Sequence, residues 1–405
     1  VLEALPPEQA VAIVRDGPRT VVACGAEEVV RAEGEAAFAA LDDLAPGFWV
    51  GWCTAELGHA VEHVVARTAA PDPFAAAAPA GAVFVRFAAR AELDRDGAAR
   101  VRGRGDGRRH LERALAGRAP VVRPGPPGLG GWISSLGRDR YEAGVRTVVE
   151  LIRAGECYQA NLTRRLATPE PADPIALWTA VASGNPAPHA TFLRLGDRAI
   201  VSASPERYLR RDGARVETRP IKGTAADAAV LRASTKDRAE NVMIVDLARN
   251  DLGRVCRPGS IHVPELCALE RHPGLVHLVS TVRGELRPGT GLGALVRATF
   301  PPASVTGAPK PRVLQVIEDL EPVPRGVYCG ALGWVDTERD RADLAVAIRT
   351  FTSGPEGSTF GVGAGITVDS DPAAEWAETE LKAARLLALA AGDRRAPAPT
   401  MALGA

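Results

Sequence analysis

The chain has 405 residues, enough to bury a large core, and its 49 Lys+Arg balance 49 Asp+Glu, so no general electrostatic pull toward nucleic acid or an anionic membrane is expected. No apolar run approaches the roughly 18 residues of a membrane span, and the amino-terminal stretch carries acids instead of the basic and apolar regions of a signal peptide. Six cysteines (Cys24, Cys53, Cys157, Cys256, Cys267, Cys329) are scattered without a C-x-x-C pair, which argues against a zinc site and a disulfide framework and makes a reducing cytoplasm the expected compartment.

Residues 1–118 mix short apolar runs, at 20–24, 48–53 and 82–87, with Ala-rich stretches, and read as a supporting region of strands and helices without a recognisable site. A Pro/Gly-rich linker over 119–134 is the expected boundary with a catalytic region over 135–392. In 138–153, Tyr141, Val145, Val148, Val149 and Ile152 recur at helical spacing, and Gly155 supplies the stop. Residues 157–166 alternate as a strand, with Gln159, Asn161 and Thr163 on one face and Tyr158, Ala160 and Leu162 on the other. A row of neutral hydrogen-bonding groups suits either a ligand pocket or an edge facing water. Further strands are expected at 199–204, 208–210, 327–335, 344–351 and 359–367, and helices at 235–250, 311–319 and 372–391. Strands outnumber the crossover helices that a doubly wound sheet needs, so the expected class is α+β with large, mostly antiparallel sheets and outer helices. The Pro- and Ala-rich residues 393–405 are expected to form a disordered tail.

Lys222, in Thr218-Arg-Pro-Ile-Lys-Gly-Thr224, lies between an extended stretch and a glycine turn, where it can face a bound substrate; a bare Pro-Ile-Lys-Gly-Thr describes a solvated surface lysine equally well. Two helices each carry acids three residues apart, Asp237 with Glu240 and Glu375 with Glu378, so each pair shares a helix face. The second face continues through Lys382, with Leu381, Ala384 and Leu387 expected as core. Four carboxylates on facing helices would suit Mg²⁺; two solvated faces are the plainer alternative. Gly361-Val-Gly-Ala-Gly365 has the wrong phase for a nucleotide loop, but its glycines can bring backbone amides close to a carboxylate. Arg349, expected on a strand face with Ala345 and Ala347, has space either to fork onto a flat anion or to form a structural ion pair. Gly155-Glu-Cys-Tyr-Gln159 lacks the second glycine of an amidotransferase nucleophile elbow, so Cys157 reads as an apolar filler.

Taken in order, the motifs resemble those of the chorismate-utilising enzymes, closest to the aminodeoxychorismate (para-aminobenzoate) synthase component I branch. They are Gly155-Glu-Cys-Tyr-Gln-Ala-Asn-Leu-Thr163, Ser202-Ala-Ser-Pro-Glu-Arg207, Pro220-Ile-Lys-Gly-Thr224, the run from Asp237 to Gly253, His277-Leu-Val-Ser280, Ser304-Val-Thr-Gly-Ala-Pro-Lys310, Tyr328-Cys-Gly-Ala-Leu-Gly333, Ala347-Ile-Arg349, and the stretch from Gly363 to Lys382. The resemblance implies Glu240 and Glu378 as Mg²⁺ ligands, with Asp237 and Glu375 helping, the metal holding the ring carboxylate of chorismate. It implies Arg349, Tyr328 and the Gly363 and Gly365 amides around the enolpyruvyl carboxylate, and Gly223, Thr224, Ser304, Lys382 and Gln159 as further pocket residues. Glu206 would protonate the departing C4 hydroxyl, and His277 would orient or polarise near the ring.

Lys222 separates the branches. Anthranilate synthases carry a small residue in this slot, whereas in the aminodeoxychorismate branch the lysine adds at C2 as hydroxide leaves C4, so that ammonia enters at C4. Hydrolytic relatives place a lysine base where this chain has Gln159, which ranks them low. Ammonia would come from a separate glutamine amidotransferase subunit. The rivals are anthranilate synthase component I and a non-catalytic chorismate-binding subunit. The front departs from the pattern: the nearest string to a Leu-Leu-Glu-Ser element of a tryptophan pocket is Val1-Leu-Glu-Ala4, so tryptophan feedback is not expected.

Overall fold

The computed structural model describes residues 9–65, 81–117, 125–225, 227–272 and 275–393, together with residue 5. The string at 1–4, residues 119–124 of the linker and 394–405 of the tail lie outside them.

Among the described residues, 19 strands join one continuous hydrogen-bonded network. The pairings are antiparallel, and ten α-helices and a 3-10 turn among the described residues pack around them, an α+β architecture. The network folds back on itself, so that Val14, Val21, Val50, Trp52, Val85, Leu193, Ile200 and Trp334 meet in one dry core between its layers. Strand Phe48–Cys53 is buried at every position because both faces are covered. Phe48, Val50 and Trp52 point into that inner core, while Trp49 and Cys53 pack with Phe38 and Leu41 of helix Ala36–Asp42 on the outside. A second outer core, with Leu177, Phe351, Phe360 and Leu386, seats helices Pro174–Gly184 and Pro372–Ala390 on the other layer.

The first hundred residues are woven into the rest. Strand Val11–Asp16 pairs with His189–Leu195, and Phe48–Cys53 pairs with Ala331–Asp336. The helix expected at 138–153 forms as Arg138–Arg153, burying Tyr141, Val145, Val148 and Val149, with Gly155 at φ 78° behind it. Strand Gln159–Thr168 lies inside the network, between Gly357–Ile366 on one side and Ile133–Ser134 and Gly307–Ala308 on the other. Its polar face, Gln159, Asn161 and Thr163, is therefore buried, and the reading as a water-facing edge is excluded. Tyr158, expected among the apolar packing, is 73% exposed because the strand begins only after it.

Two strand boundaries and one helix face differ from expectation. The strand expected at 327–335 starts at Ala331, since Cys329 takes a left-handed turn at φ 62°. The strand expected at 344–351 is two strands, Arg341–Val346 and Thr350–Gly354, broken where Arg349 adopts φ 52°. Arg349 consequently does not share a strand face with Ala345 and Ala347. On helix Pro372–Ala390 the core face is Ala383, Leu386, Leu389 and Ala390; Ala384 is exposed and Leu381 and Leu387 are only half-buried, because the helix packs along Glu375 and Thr379.

Candidate active site

Lys222 belongs to strand Ile221–Ala225, which pairs with Leu275–Glu285 through a register shift between Lys222 and Thr224. The shift is a bulge built on Gly223, at φ 72°. A Cβ at 223 would stand 2.9 Å from the Asp237 carboxyl carbon, so glycine lets this strand lie against the start of helix Thr235–Gly253. The bulge re-aims Lys222, whose Nζ donates to the Ser304 carbonyl at 3.3 Å. Burial lowers the ammonium's pKa, while Glu240, Glu206 and Glu378 act in the opposite direction and Lys382 adds to the lowering.

Glu206 sits beside that ammonium, 4% exposed, its Oε1 accepting the Ile221 N–H at 3.4 Å and its carboxyl bonded to the Ser304 side chain. Burial pushes its pKa up to about 7 in spite of the Ser304 bond, Lys222 and the Ile221 amide. A carboxyl that stays protonated near neutrality is fit to act as a general acid. Behind it, Glu206, Ser304, Thr218 and Asp251 line a cavity of about 30 Å³.

Gln159 is 1% exposed and its Oε1 has no hydrogen-bond partner. A Cβ at Gly365 would come within 2.3 Å of the Gln159 Nε2 and 3.5 Å of the Lys222 Nζ. The missing side chain at 365 thus leaves room for both the Gln159 amide and the Lys222 ammonium beside that backbone. Gly361, Gly363 and Gly365 lie on strand Gly357–Ile366, on one face. A Cβ at Gly361 would enter the Tyr328 ring at 2.2 Å, so the ring lies flat on bare backbone there. Gly361 belongs to the glycine run whose backbone the sequence offers to a carboxylate, and here that backbone is covered by the Tyr328 ring. The guanidinium of Arg349, whose backbone takes a left-handed kink, has neither an ion pair nor a hydrogen bond among the described residues, and burial alone lowers its pKa. A partly buried, unpaired guanidinium is a ready anion receptor.

The two acidic helices face this region. Burial raises Glu240, against Lys222 and Lys236, and raises Glu375. Burial also pushes Glu378 up, but Lys382, Lys236 and Lys222 together bring it below the usual carboxylate range. Lys382 Nζ pairs with Glu378 at 2.5 Å and donates to the Gly363 carbonyl at 3.0 Å. Glu375 is 5% exposed; Oε1 accepts from Ser370 at 2.5 Å and Oε2 is without a partner. Among the described residues, no three His, Cys, Asp or Glu side chains converge tightly enough to cage a metal on their own. The donor set nevertheless fits Mg²⁺, which takes hard oxygens through retained waters, and the partnerless Glu375 Oε2 is available to such a shell.

His277 is buried in strand Leu275–Glu285, opposite the backbone of Thr224 on one side and Glu270 on the other. Two further residues brace the site that the motifs did not mark as functional. Arg325 donates to the carbonyls of Asn161 at 2.6 Å and Val305 at 2.9 Å, and Glu321, paired with it, accepts the Thr163 N–H at 2.8 Å. They tie the Gln159 strand to the loop carrying Ser304, a role that an i,i+4 pair in the sequence does not reveal.

The chorismate binding enzyme family matches residues 8–388. The chain belongs to this family. It is 46% identical over 261 residues to an aminodeoxychorismate synthase of Streptomyces pristinaespiralis, covering 62% of this chain and 36% of that protein. To aminodeoxychorismate synthase component 1 of Escherichia coli it is 41% identical over 267 residues, 63% of this chain and 58% of the relative. To anthranilate synthase component 1 of Streptomyces coelicolor it is 41% identical over 286 residues, 68% and 56%. The chain thus spans little more than half, at most, of these relatives. The fold is that of anthranilate synthase component I from Streptococcus pneumoniae, with TM-score 0.75 at 24% identity over 94% of this chain and 93% of the other. The menaquinone-specific isochorismate synthase of Escherichia coli is similar too, with TM-score 0.75 at 20% identity over 96% and 91%. No described helix is long and apolar enough to cross a membrane.

Proposed function

We propose that this chorismate-utilising enzyme aminates chorismate at C4 with ammonia to give 4-amino-4-deoxychorismate. The observation that carries the reading is the pairing of Lys222, its ammonium lowered by burial, with Glu206, its carboxyl held near neutrality, on either side of Ser304. An anthranilate-forming site needs no amine there. Arg349, with Tyr328 and the bare Gly363 and Gly365 backbone, receives the enolpyruvyl carboxylate. Mg²⁺, when bound by Glu240 and Glu378 with Asp237 and Glu375, would supply positive charge for the ring carboxylate.

In the first step the neutral Lys222 amine bonds to C2, both ring double bonds shift, and the C4–O bond breaks as Glu206 delivers its proton, releasing water. In the second, ammonia bonds to C4, both double bonds shift back, and the C2–N bond to Lys222 breaks. A proton from the incoming nitrogen restores Glu206, so the sum is chorismate plus ammonia giving aminodeoxychorismate plus water. Gln159 is an amide and cannot serve as the base that would activate water, which disfavours hydrolytic outcomes. The ammonia would be released from glutamine by a separate amidotransferase subunit in the cytoplasm, the product feeding para-aminobenzoate and folate synthesis.

The test is to incubate the purified chain with chorismate, MgCl₂ and an ammonium salt, with and without an added aminodeoxychorismate lyase, and to identify products by mass spectrometry. Para-aminobenzoate appearing only with the lyase is the expected result. Anthranilate appearing without it would transfer the assignment to the anthranilate branch, and absence of any ammonia-dependent product would support a non-catalytic binding subunit.

A further inference from the structure

Lys236 breaks two local rules. It occupies the first turn of helix Thr235–Gly253, where the positive end of the helix dipole disfavours a cation. It also precedes its partner Glu240 by four residues, the weaker orientation for an i,i+4 pair, and reaches it only at 4.0 Å. The reason for a lysine here lies off the helix: its charge acts on Glu240 from its own helix and on Glu375 and Glu378 from the facing one. The acidic faces thus meet two ammonium groups. Lys382 is fastened at two points, Glu378 and the Gly363 carbonyl. Lys236 has a single long contact and a side chain 53% exposed, so it can swing into solvent once another cation takes its place beside Glu240.

We propose that Lys236 is a built-in counter-cation that steadies the Glu240, Glu375 and Glu378 carboxylates when no metal is present and competes with Mg²⁺ for them. The inference rests on the metal assignment proposed above. It makes the free protein's Mg²⁺ affinity lower than its carboxylates alone would give, and it makes metal entry an exchange of one cation for another.

The test is calorimetric titration of Mg²⁺ into the full chain without chorismate, comparing the unaltered protein with Lys236→Met, Lys236→Arg and Arg238→Met. The last removes the same charge from an exposed position on the same helix that forms no ion pair with Glu240, Glu375 or Glu378 among the described residues. Lys236→Met should bind Mg²⁺ about two- to fivefold more tightly, the scale of an exposed ion pair, and should melt earlier than the unaltered protein in metal-free buffer. Lys236→Arg and Arg238→Met should stay near the unaltered value. Equal or weaker binding by Lys236→Met, or an equal gain in Arg238→Met, would overturn the competition while leaving the metal site standing. Saturable Mg²⁺ binding by none of the four proteins would remove the metal assignment itself, and the competition with it.

Discussion

Outside the cluster around Lys222, several buried ions are matched at short range. Lys310 meets Asp251 at 2.7 Å, Arg325 meets Glu321 at 2.6 Å, and Arg207 is held between Asp343 at 3.0 Å and Glu217 at 2.7 Å. Around Lys222 the same kinds of side chain are left unmatched. Lys222 has one carbonyl at 3.3 Å, the Arg349 guanidinium has no partner among the described residues, Glu206 is driven toward its neutral form, and Gln159 and Glu375 each carry an orphaned oxygen. Burying a polar group without a partner is costly, so several such groups gathered around one site are what a ligand would complete. Charge matching therefore separates scaffold from site more sharply than burial does, because both sets are buried.

Breaking the unmatched set should leave the fold and remove the chemistry. Lys222→Ala and Glu206→Gln are each expected to lower aminodeoxychorismate formation by about 10²- to 10⁴-fold, with chorismate binding and the melting temperature retained; unchanged turnover in either would take that residue out of the mechanism. Breaking the matched set should do the reverse. Asp251→Ala strands the buried Lys310 ammonium and is expected to cost about 3–5 kcal/mol in denaturant unfolding, whereas a loss under about 1 kcal/mol would mean the pair is not sealed from water.

The pH dependence sharpens the same contrast. Glu206 has a folded pKa of about 7 against an ordinary 4.5, so the folded state holds its proton longer than the unfolded chain does. The stability this contributes is complete below 4.5 and is lost as pH rises toward 7, a difference of about 3 kcal/mol at most. Unfolding curves of the unaltered protein should show that decline, and those of Glu206→Gln should show less of it; superimposable curves would place Glu206 in a wetter setting. The smallest effect on the list belongs to Arg349→Met. It should leave stability within about 0.5 kcal/mol and weaken chorismate binding by about 1.5–3 kcal/mol, measured by calorimetry. A large stability loss would mark Arg349 as a structural cation instead.

Much of this was legible in the chain. The alternation of Gln159, Asn161 and Thr163, the acids at 237, 240, 375 and 378, and the lysine before Gly223 are local patterns, and local patterns survive folding. The burial of the Gln159 face was not legible, since it depends on strand Gly357–Ile366 arriving from 190 residues or so away to pair with it. Nor was the kink at Arg349, because residues 344–351 have the composition of an unbroken strand and only the turn at Cys329 and the two flanking pairings force the break. The core face of helix Pro372–Ala390 was misjudged for a related reason. Its periodicity admits more than one face, and burial of Glu375 against its neighbours selects among them.

The central claim is that Lys222 bonds to the substrate, and the most direct measurement is the intact mass of the protein after rapid quenching with chorismate and Mg²⁺ in the absence of ammonia. The account predicts a species heavier by chorismate less water, mapped by peptide sequencing to Lys222 and cleared when ammonium is added. Full C4 amination by Lys222→Ala, with no adduct on the unaltered protein, would contradict it.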